Sequence, residues 1–289
     1  MSSADGLWHI TAGAADFNQL RLVVSEALAT DDAVSAAFQL GYASATPSVA
    51  FFFAYQLAVR QLDSELANDQ FAAFAASEKG VRSSRDFSTT AQQQEDGSWR
   101  ICGQKSHVML LPQQALDFIY VLANDAQQQL HCFKVAASGA GVEAIEANKP
   151  QPFVVDIPHT PVMFNNVSCE TGYVRDRAHQ TCFKPFRYWE DVMVGLSFAG
   201  WVLKRVPESA HCRLEAVCQK LIDVYHNNTA YYDAENIAAI DQLMQTLVAL
   251  SNELPDAEKQ SWKKDSVLLS MGTMARQKVA VKLRGEPLQ

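Results

Sequence analysis

Two adjacent histidine–cysteine pairs, His131-Cys132 and His211-Cys212, carry side chains of the kind that bind zinc. Side chains of sequence neighbours point apart, and no second ligand pair stands at the spacing of known zinc sites, so we predict no metal site. The six cysteines contain no Cys-x-x-Cys pair. The first residues lack the basic and apolar segments of a secretory leader, which predicts reduced thiols in a cytoplasmic protein.

Composition excludes several classes of protein. The chain has 289 residues, with 24 lysines and arginines against 32 aspartates and glutamates, and a formal net charge of −8. The surplus of basic residues that a nucleic-acid binder needs is absent. Hydrophobic residues make up 48% of the chain, which excludes disorder as the main state. The longest apolar run, residues 49–59, ends at Arg60 and is too short to span a membrane.

The elements that position any site fall into three regions, and the first, residues 1–69, is predicted to be helical. Apolar residues recur at helical spacing over residues 17–28, after Asp16 as a candidate N-cap. A second short helix covers residues 31–41 and ends at its glycine. A third begins with a proline after the cap Thr46 and runs over residues 47–66.

The second region, residues 70–178, is predicted to be a β-domain. β-Branched and aromatic residues become more frequent, and six strands are predicted between residues 86 and 167. Asp96-Gly97 lies between two of these strands and predicts a tight hairpin in which both turn residues have positive φ. Strand runs separated from helix runs indicate an α+β fold rather than alternating βαβ units.

The third region, residues 179–289, is predicted to be a helical bundle. Four helices are expected, over Phe186–Arg205, His211–Asn227, Ala234–Glu253 and Asp256–Arg284, with prolines in two of the gaps. The last of them carries an apolar face formed by Val267, Leu268, Met271, Met274, Ala275 and Val279. Such a face needs a partner surface within the chain or across a two-fold axis, so we expect a homo-oligomer, specifically a dimer.

Four segments in the middle of the chain follow one another in a recognisable order. They are residues 74–80 (FAASEKG) with Arg82-Ser83-Ser84 and Thr89-Thr90-Ala91, the hairpin at residues 96–108 (DGSWRICGQKSHV), the strand at residues 164–167 (FNNV), and the helix near Trp189 with Gly200. In order and spacing these segments resemble the motifs of the acyl-CoA dehydrogenase family, over about residues 45–205.

This resemblance implies a fold and an activity. The family has a helical N-terminal domain, a central β-barrel-like domain and a C-terminal helical bundle, with FAD held against the β-domain and an acyl thioester such as an acyl-CoA on the opposite face of the flavin. The implied reaction oxidises a CH–CH bond of the thioester. In it a carboxylate removes the α-proton and the hydride on the β-carbon passes to the flavin.

The resemblance also implies roles for single residues. Ser77 falls on the threonine that bonds the flavin edge, and Ser83 on the serine that touches the flavin diphosphate. His107 falls on the aromatic residue beside the flavin. Met109 falls on the Thr or Ser whose hydroxyl faces flavin N5, which leaves only its backbone N–H for that contact. Arg82 replaces a family glycine, which implies either a different backbone conformation or a pairing with phosphate. The lost hydroxyl donor at Met109, together with the lack of a match to the family segments that reach a neighbouring subunit's FAD, predicts weaker FAD binding than in the family.

Glu190 is the catalytic base that the resemblance implies. Most members of the family use a glutamate in a late loop, and no segment before Gln289 matches that loop. A minority use a glutamate in the first helix of the bundle, where Glu190 falls, although Asp191 stands where those members have arginine. A structural interpretation competes with this role, because an acid in the first turn of a helix is favoured by the helix dipole.

Three functions follow from these observations. The first is an FAD-dependent dehydrogenase of acyl thioesters, favoured by Ser77, Ser83 and Glu190. The second is a non-catalytic protein of the same fold that binds a ligand or forms oligomers, favoured by the substituted flavin contacts. The third is a flavin-dependent monooxygenase or oxidase, since one fold hosts several chemistries.

Overall fold

A computed structural model describes residues 17–81, 83–109, 116–145 and 151–285, with Ala275 described by its backbone alone. The predicted cap Asp16 and the substituted Arg82 lie outside the described residues. The chain divides into two compact units. The helical unit comprises residues 1–61, 152–156 and 187–289, and the sheet unit comprises residues 62–151 and 157–186. The three-domain boundaries after residues 69 and 178 stay a prediction.

Helices form at both ends of the chain. They are α1 (Phe17–Thr30), α2 (Ala33–Ala43), α3 (Pro47–Leu62), α4 (Lys184–Leu203), α5 (His211–Asn227), α6 (Ala234–Leu250), α7 (Asp256–Asp265), α8 (Val267–Met271) and α9 (Thr273–Leu283). The predicted cap of α3 is confirmed, because the Thr46 hydroxyl oxygen accepts the Val49 N–H at 3.3 Å. Within the described ranges, no helix is long and apolar enough to cross a membrane.

Two glycines allow α2 and α4 to pack backbone against backbone in the helical unit. A Cβ atom on Gly41 would lie 1.9 Å from the Ser197 carbonyl oxygen, and one on Gly200 would lie 2.0 Å from the Phe38 carbonyl oxygen. The prediction that Gly41 ends the second helix is wrong, since α2 continues to Ala43. The glycine is required by the close approach of another helix and not by a helix end.

The C-terminal segment forms α7, α8 and α9, so the prediction of one helix over Asp256–Arg284 is wrong. α8 and α9 are separated by Gly272, where a Cβ atom would lie 2.4 Å from Asp191 Oδ1. The exposed large apolar side chains of this segment are Val267, Met271, Met274 and Leu283. The side chain of Ala275, which was part of the predicted apolar face, lies outside the described residues. The dimer stays a prediction.

The sheet unit is built on one sheet, which contains eight strands among the described residues. The strands are β1 (Ala72–Ala75), β2 (Thr90–Gln93), β3 (Trp99–Met109), β4 (Phe118–Asn124), β5 (Leu130–Ala136), β6 (Val142–Ala144), β7 (His159–Cys169) and β8 (Val174–Arg175). Their order is β6-β7-β3-β2-β4-β5-β8, and β1 pairs with β4. The pairs β1–β4 and β2–β4 are parallel, and the other pairs are antiparallel. Helices together with this mostly antiparallel sheet make an α+β protein.

The hairpin between β2 and β3 is confirmed, but its turn differs from the prediction. Gly97 has a positive φ of 84°, whereas Asp96 does not have a positive φ. The loop is longer than two residues, since the Gln94 N–H donates to the Ser98 carbonyl oxygen at 2.8 Å. Asp96 stabilises it by accepting the Ser98 N–H at 2.9 Å. This loop is stabilised by a bond from the backbone to the Asp96 side chain, and of the two turn residues only Gly97 has a positive φ.

Candidate active site

Ser77 and His107 lie close together at the surface of the sheet unit. Ser77 follows β1, and its carbonyl oxygen accepts the N–H of Ser106 at 2.9 Å. Ser106 is the neighbour of His107 on β3, and the side chains of Ser77 and His107 are both exposed. The structure thus brings together two of the residues that the resemblance assigns to the flavin.

An irregularity in β3 decides which way the next residues face. The register between β3 and β7 shifts between Lys105 and Val108, as at a β-bulge, which interrupts the alternation of side chains along a strand. Strict alternation would place His107 and Met109 on the same face. Instead His107 is exposed, and Met109 is only 1% exposed. The Met109 side chain is therefore a core residue of the sheet unit.

Ser83 starts a single 3₁₀ turn, residues 84–86, between β1 and β2. Its hydroxyl oxygen accepts the Arg85 N–H at 3.3 Å. A hydroxyl that accepts in this way can still donate its own proton. The half-buried side chain of Ser83 therefore keeps a donor for an anionic or carbonyl group.

A buried ion pair, which the sequence did not reveal, fixes the segments that carry Ser77 and His107. Lys105 Nζ lies 2.8 Å from Glu78 Oε1, and the two side chains are 0% and 3% exposed. Glu78 follows Ser77 in the chain, and Lys105 is two residues before His107. Both charged residues belong to the motifs quoted above, but only the tertiary structure shows that they touch.

Both members of this pair are ionised at neutral pH, although burial disfavours both charges. Burial raises the pKa of Glu78, but hydrogen bonds from Lys105, Thr89 and Ser88 and the Lys105 charge outweigh burial and lower it to about 2. Burial lowers the pKa of Lys105 to about 8, although the Glu78 carboxylate opposes this effect. The Glu78 carboxylate is therefore ionised at neutral pH, and its buried bond to Lys105 connects the segment after β1 to β3.

Glu190 belongs to the helical unit and lines a cavity of about 80 Å³. The uncharged residues around this cavity are Phe51, Val194, Met244, Leu268, Met271 and Gly272, and the charged ones are Arg187 and Asp191. No hydrogen-bond donor among the described residues reaches the Glu190 carboxylate. Burial raises the pKa of Glu190, the Asp191 charge raises it further and Arg187 opposes both, which leaves it at about 7.

The helix-dipole explanation of Glu190 does not apply. A π-helical turn, His179–Phe183, precedes α4, and α4 itself begins at Lys184. Glu190 therefore lies in the second turn of the helix, beyond the first turn in which the dipole acts. The sequence pattern predicts that this helix begins at Phe186, two residues later than it does, and this later start placed Glu190 nearer to the helix end and suggested the helix-dipole explanation.

Asp191, which stands beside Glu190, is held by a network around the buried Arg276 that the sequence did not predict. Its Oδ2 accepts the Tyr232 hydroxyl at 2.5 Å and Arg276 Nη1 at 2.6 Å. Arg276 is 1% exposed and also donates from Nε to Asp241 at 2.9 Å. The network fixes a negative charge next to Glu190, which is one cause of the raised pKa of that carboxyl.

The histidines and cysteines form no recognisable metal centre in the described part of the chain. His131 Nδ1 lies 2.9 Å from Asp176, and its Nε2 lies 3.0 Å from Asp125, so both ring nitrogens already face carboxylates. All six cysteines are described, and each is a free thiol.

Comparison with known proteins identifies the fold. No family model and no curated protein matches the sequence. Among solved structures, an FAD-dependent dehydrogenase superposes with a TM-score of 0.70 at 14% identity, over 93% of this chain and 92% of the other. Butyryl-CoA dehydrogenase from Megasphaera elsdenii gives 0.65 at 11% identity, over 90% and 88%. A glutaryl-CoA dehydrogenase from Mycobacterium smegmatis, solved with FADH2, gives 0.62 at 12% identity, over 94% and 95%.

At such identities the similarity concerns the fold alone. It extends over most of both chains in each case, whereas the sequence motifs cover only the middle of this one. The resemblance that the order of the motifs predicted is confirmed, and the protein has a fold similar to that of the acyl-CoA dehydrogenases.

Proposed function

We propose that this protein is an FAD-dependent oxidoreductase that oxidises a CH–CH bond of an acyl thioester, with Glu190 as the general base. The observation that carries the proposal is the state of the Glu190 carboxyl. It lies in a small, mostly apolar cavity, no donor among the described residues bonds it, and its pKa is raised to about 7.

These properties suit proton abstraction. A base works best when its pKa is near the pH at which the enzyme operates, because it is then both deprotonated and strong. An ordinary exposed glutamate is deprotonated at neutral pH but is a weak base. The apolar wall and the fixed charge of Asp191 make Glu190 the stronger base, and the lack of a bonded donor leaves its oxygens free to accept the α-proton.

The residues of the sheet unit fit FAD in part. Ser77 and His107 are exposed, the backbone of Ser77 bonds that of Ser106, next to His107, and Ser83 keeps a donor, so these three residues would hold the flavin and its diphosphate. The buried Met109 side chain contributes no contact. When bound, FAD supplies the acceptor for the hydride. The Glu78–Lys105 pair positions Ser77 and His107 without touching the cofactor itself.

The test has two stages. The purified protein is first incubated with FAD and dialysed, and its visible spectrum shows whether flavin is retained. The loaded protein is then mixed anaerobically with butyryl-CoA and with longer acyl-CoAs, and loss of the flavin absorbance reports substrate oxidation. The proposal expects bleaching by at least one of these thioesters, at a rate that increases as the pH rises through about 7.

A matched pair of variants assigns the base. Glu190→Gln should bind FAD as the unaltered protein does and should bleach about 10²–10⁴-fold more slowly, with no dependence on pH near neutrality. Glu26→Gln, which changes an exposed glutamate of α1, should leave both properties unchanged. Full activity of the Glu190 variant would remove Glu190 from the mechanism. Failure to bind FAD or to bleach with any thioester would favour the non-catalytic alternative.

A further inference from the structure

Arg187 supplies a positive charge to the Glu190 cavity, and no anion of the protein pairs with it. It lies on α4 three residues before Glu190, so the two side chains share one face of the helix, and both line the cavity. In the described part of the chain the guanidinium of this half-buried side chain forms neither an ion pair nor a hydrogen bond. Charged side chains that are removed from water are almost always paired. The Arg187 charge is therefore available to a ligand in the cavity.

The second acid of the cavity, Asp191, is already paired with another cation. Its Oδ2 accepts Arg276 Nη1 at 2.6 Å and the Tyr232 hydroxyl at 2.5 Å. The same Tyr232 hydroxyl lies 3.1 Å from the Arg187 carbonyl oxygen, which ties this turn of α4 to the network. The network thus holds Asp191 by Arg276 and fixes the backbone from which the Arg187 side chain extends beside Glu190.

We infer that Arg187 is a catalytic residue that binds the thioester carbonyl oxygen of the substrate and stabilises the enolate formed when Glu190 removes the α-proton. In this step the proton passes from the α-carbon to the Glu190 carboxylate. The electron pair of the broken C–H bond forms the second bond between the α-carbon and the carbonyl carbon, and the π pair of the carbonyl group moves to its oxygen. The negative charge that leaves Glu190 therefore appears on this oxygen.

A guanidinium next to the base suits this charge. It stabilises an enolate oxygen more than a neutral carbonyl oxygen, so it lowers the barrier instead of only strengthening binding. The apolar part of the cavity wall strengthens the interaction, because the effective dielectric constant is lower there than in water. The carbonyl carbon is bonded directly to the α-carbon, whereas a carboxylate at the far end of an acyl chain would lie several bonds from the base. The single helical turn between Arg187 and Glu190 therefore favours the carbonyl oxygen as the ligand.

This inference deepens the proposed function and rests on it for the substrate, but it adds an activity that requires no flavin. A thioester whose α-proton is removed and replaced reversibly exchanges that proton with the solvent. The Glu190 carboxylate takes the proton, a solvent deuteron replaces it in D2O, and no hydride moves. Arg187 and Glu190 should catalyse this exchange by themselves.

Butyryl-CoA in D2O is the probe, mixed with the flavin-free protein and followed by proton NMR. The unaltered protein should replace the α-protons and leave the β-protons in place. Arg187→Gln should exchange about 10²–10³-fold more slowly, as when an oxyanion donor is removed. Arg187→Lys keeps the charge but loses the planar fork, and it should exchange about tenfold more slowly. The control Arg213→Gln, at an exposed arginine of α5, should exchange as the unaltered protein does.

Two measurements separate catalysis from binding and folding. By calorimetry, Arg187→Gln should change the dissociation constant of butyryl-CoA less than about tenfold, because the neutral carbonyl gains less from the guanidinium than the enolate does. The urea midpoint of this variant should match that of the unaltered protein. A loss of exchange explained by an equal loss of affinity, or by unfolding, would overturn the inference.

The exchange experiment also separates this inference from the proposed function. Undiminished exchange by Arg187→Gln, equal slowing by Arg213→Gln, or no exchange by the unaltered protein overturns the role of Arg187, whether or not butyryl-CoA bleaches bound FAD. Slowing confined to a thioester with a second carboxylate, such as succinyl-CoA, also overturns it, because Arg187 would then bind the acyl chain. Exchange that depends on Arg187, without any bleaching, supports the inference and contradicts the oxidoreductase.

Discussion

The Glu190 carboxyl should make the protein less stable above neutral pH, so that its removal stabilises the fold. The pKa of Glu190 is raised from 4.5 to about 7 in the folded protein. Between these values the folded protein holds a proton that the unfolded chain has released, so the free energy of unfolding falls as the pH rises through this window. Below pH 4.5 both states are protonated and the residue has no effect. Glutamine cannot titrate and removes this dependence.

The magnitude follows from the same values. The difference between 4.5 and about 7, at about 1.4 kcal/mol per pKa unit, corresponds to about 3 kcal/mol. Solvent still reaches part of the half-buried side chain and screens its charge, which reduces the expected effect to about 2 kcal/mol. A stabilisation of this size is unusual for a substitution in a cavity, because most single substitutions destabilise.

Urea unfolding followed by circular dichroism measures the effect. Near pH 8, Glu190→Gln should be more stable than the unaltered protein by about 2 kcal/mol, and near pH 4.5 the two should be equal. The exposed Glu26→Gln should match the unaltered protein at both pH values. A Glu190 variant that is less stable near pH 8, or one whose stability differs by the same amount at both pH values, would refute the assignment of a raised pKa to this carboxyl.

Two further predictions concern the groups that support the site. Glu78→Gln should lower the free energy of unfolding, measured by urea titration, by about 3–5 kcal/mol, because it leaves the buried Lys105 ammonium without its carboxylate. The control Glu95→Gln, at an exposed glutamate, should change this free energy by under about 0.5 kcal/mol. The stabilisation by Glu78 is fully present above pH 4.5 and should disappear as the pH falls through about 2, so an acid titration that shows no such loss would contradict it. Gly272→Ala should destabilise the folded protein by about 1–3 kcal/mol, since the new Cβ would lie 2.4 Å from Asp191 Oδ1. An unchanged midpoint of thermal unfolding would contradict this prediction and show that the Asp191 network moves aside at no cost.

Local signals in the sequence located most of the elements. α5 was predicted over His211–Asn227 and has these bounds, because its apolar period is regular and a proline precedes it. The hairpin at Asp96-Gly97 was found from its turn residues. β1 was missed, since all four of its residues are buried and a strand without an exposed face shows no alternation. β8 has two residues and leaves no pattern.

The sequence by itself determined the order of a helical, a strand and a second helical region and, through the order of its motifs, the resemblance to a fold family. It named the residues on which a flavin site and a base would depend, and their roles stay proposals. The tertiary structure alone decided how those residues are presented. The bulge in β3 exposes His107 and buries Met109, and the cavity and the fixed Asp191 raise the pKa of Glu190. Both outcomes depend on residues distant in the chain, namely the β7 strand that pairs with β3 and the cavity lining and Arg276 around Glu190 and Asp191, and a local pattern does not contain these contacts.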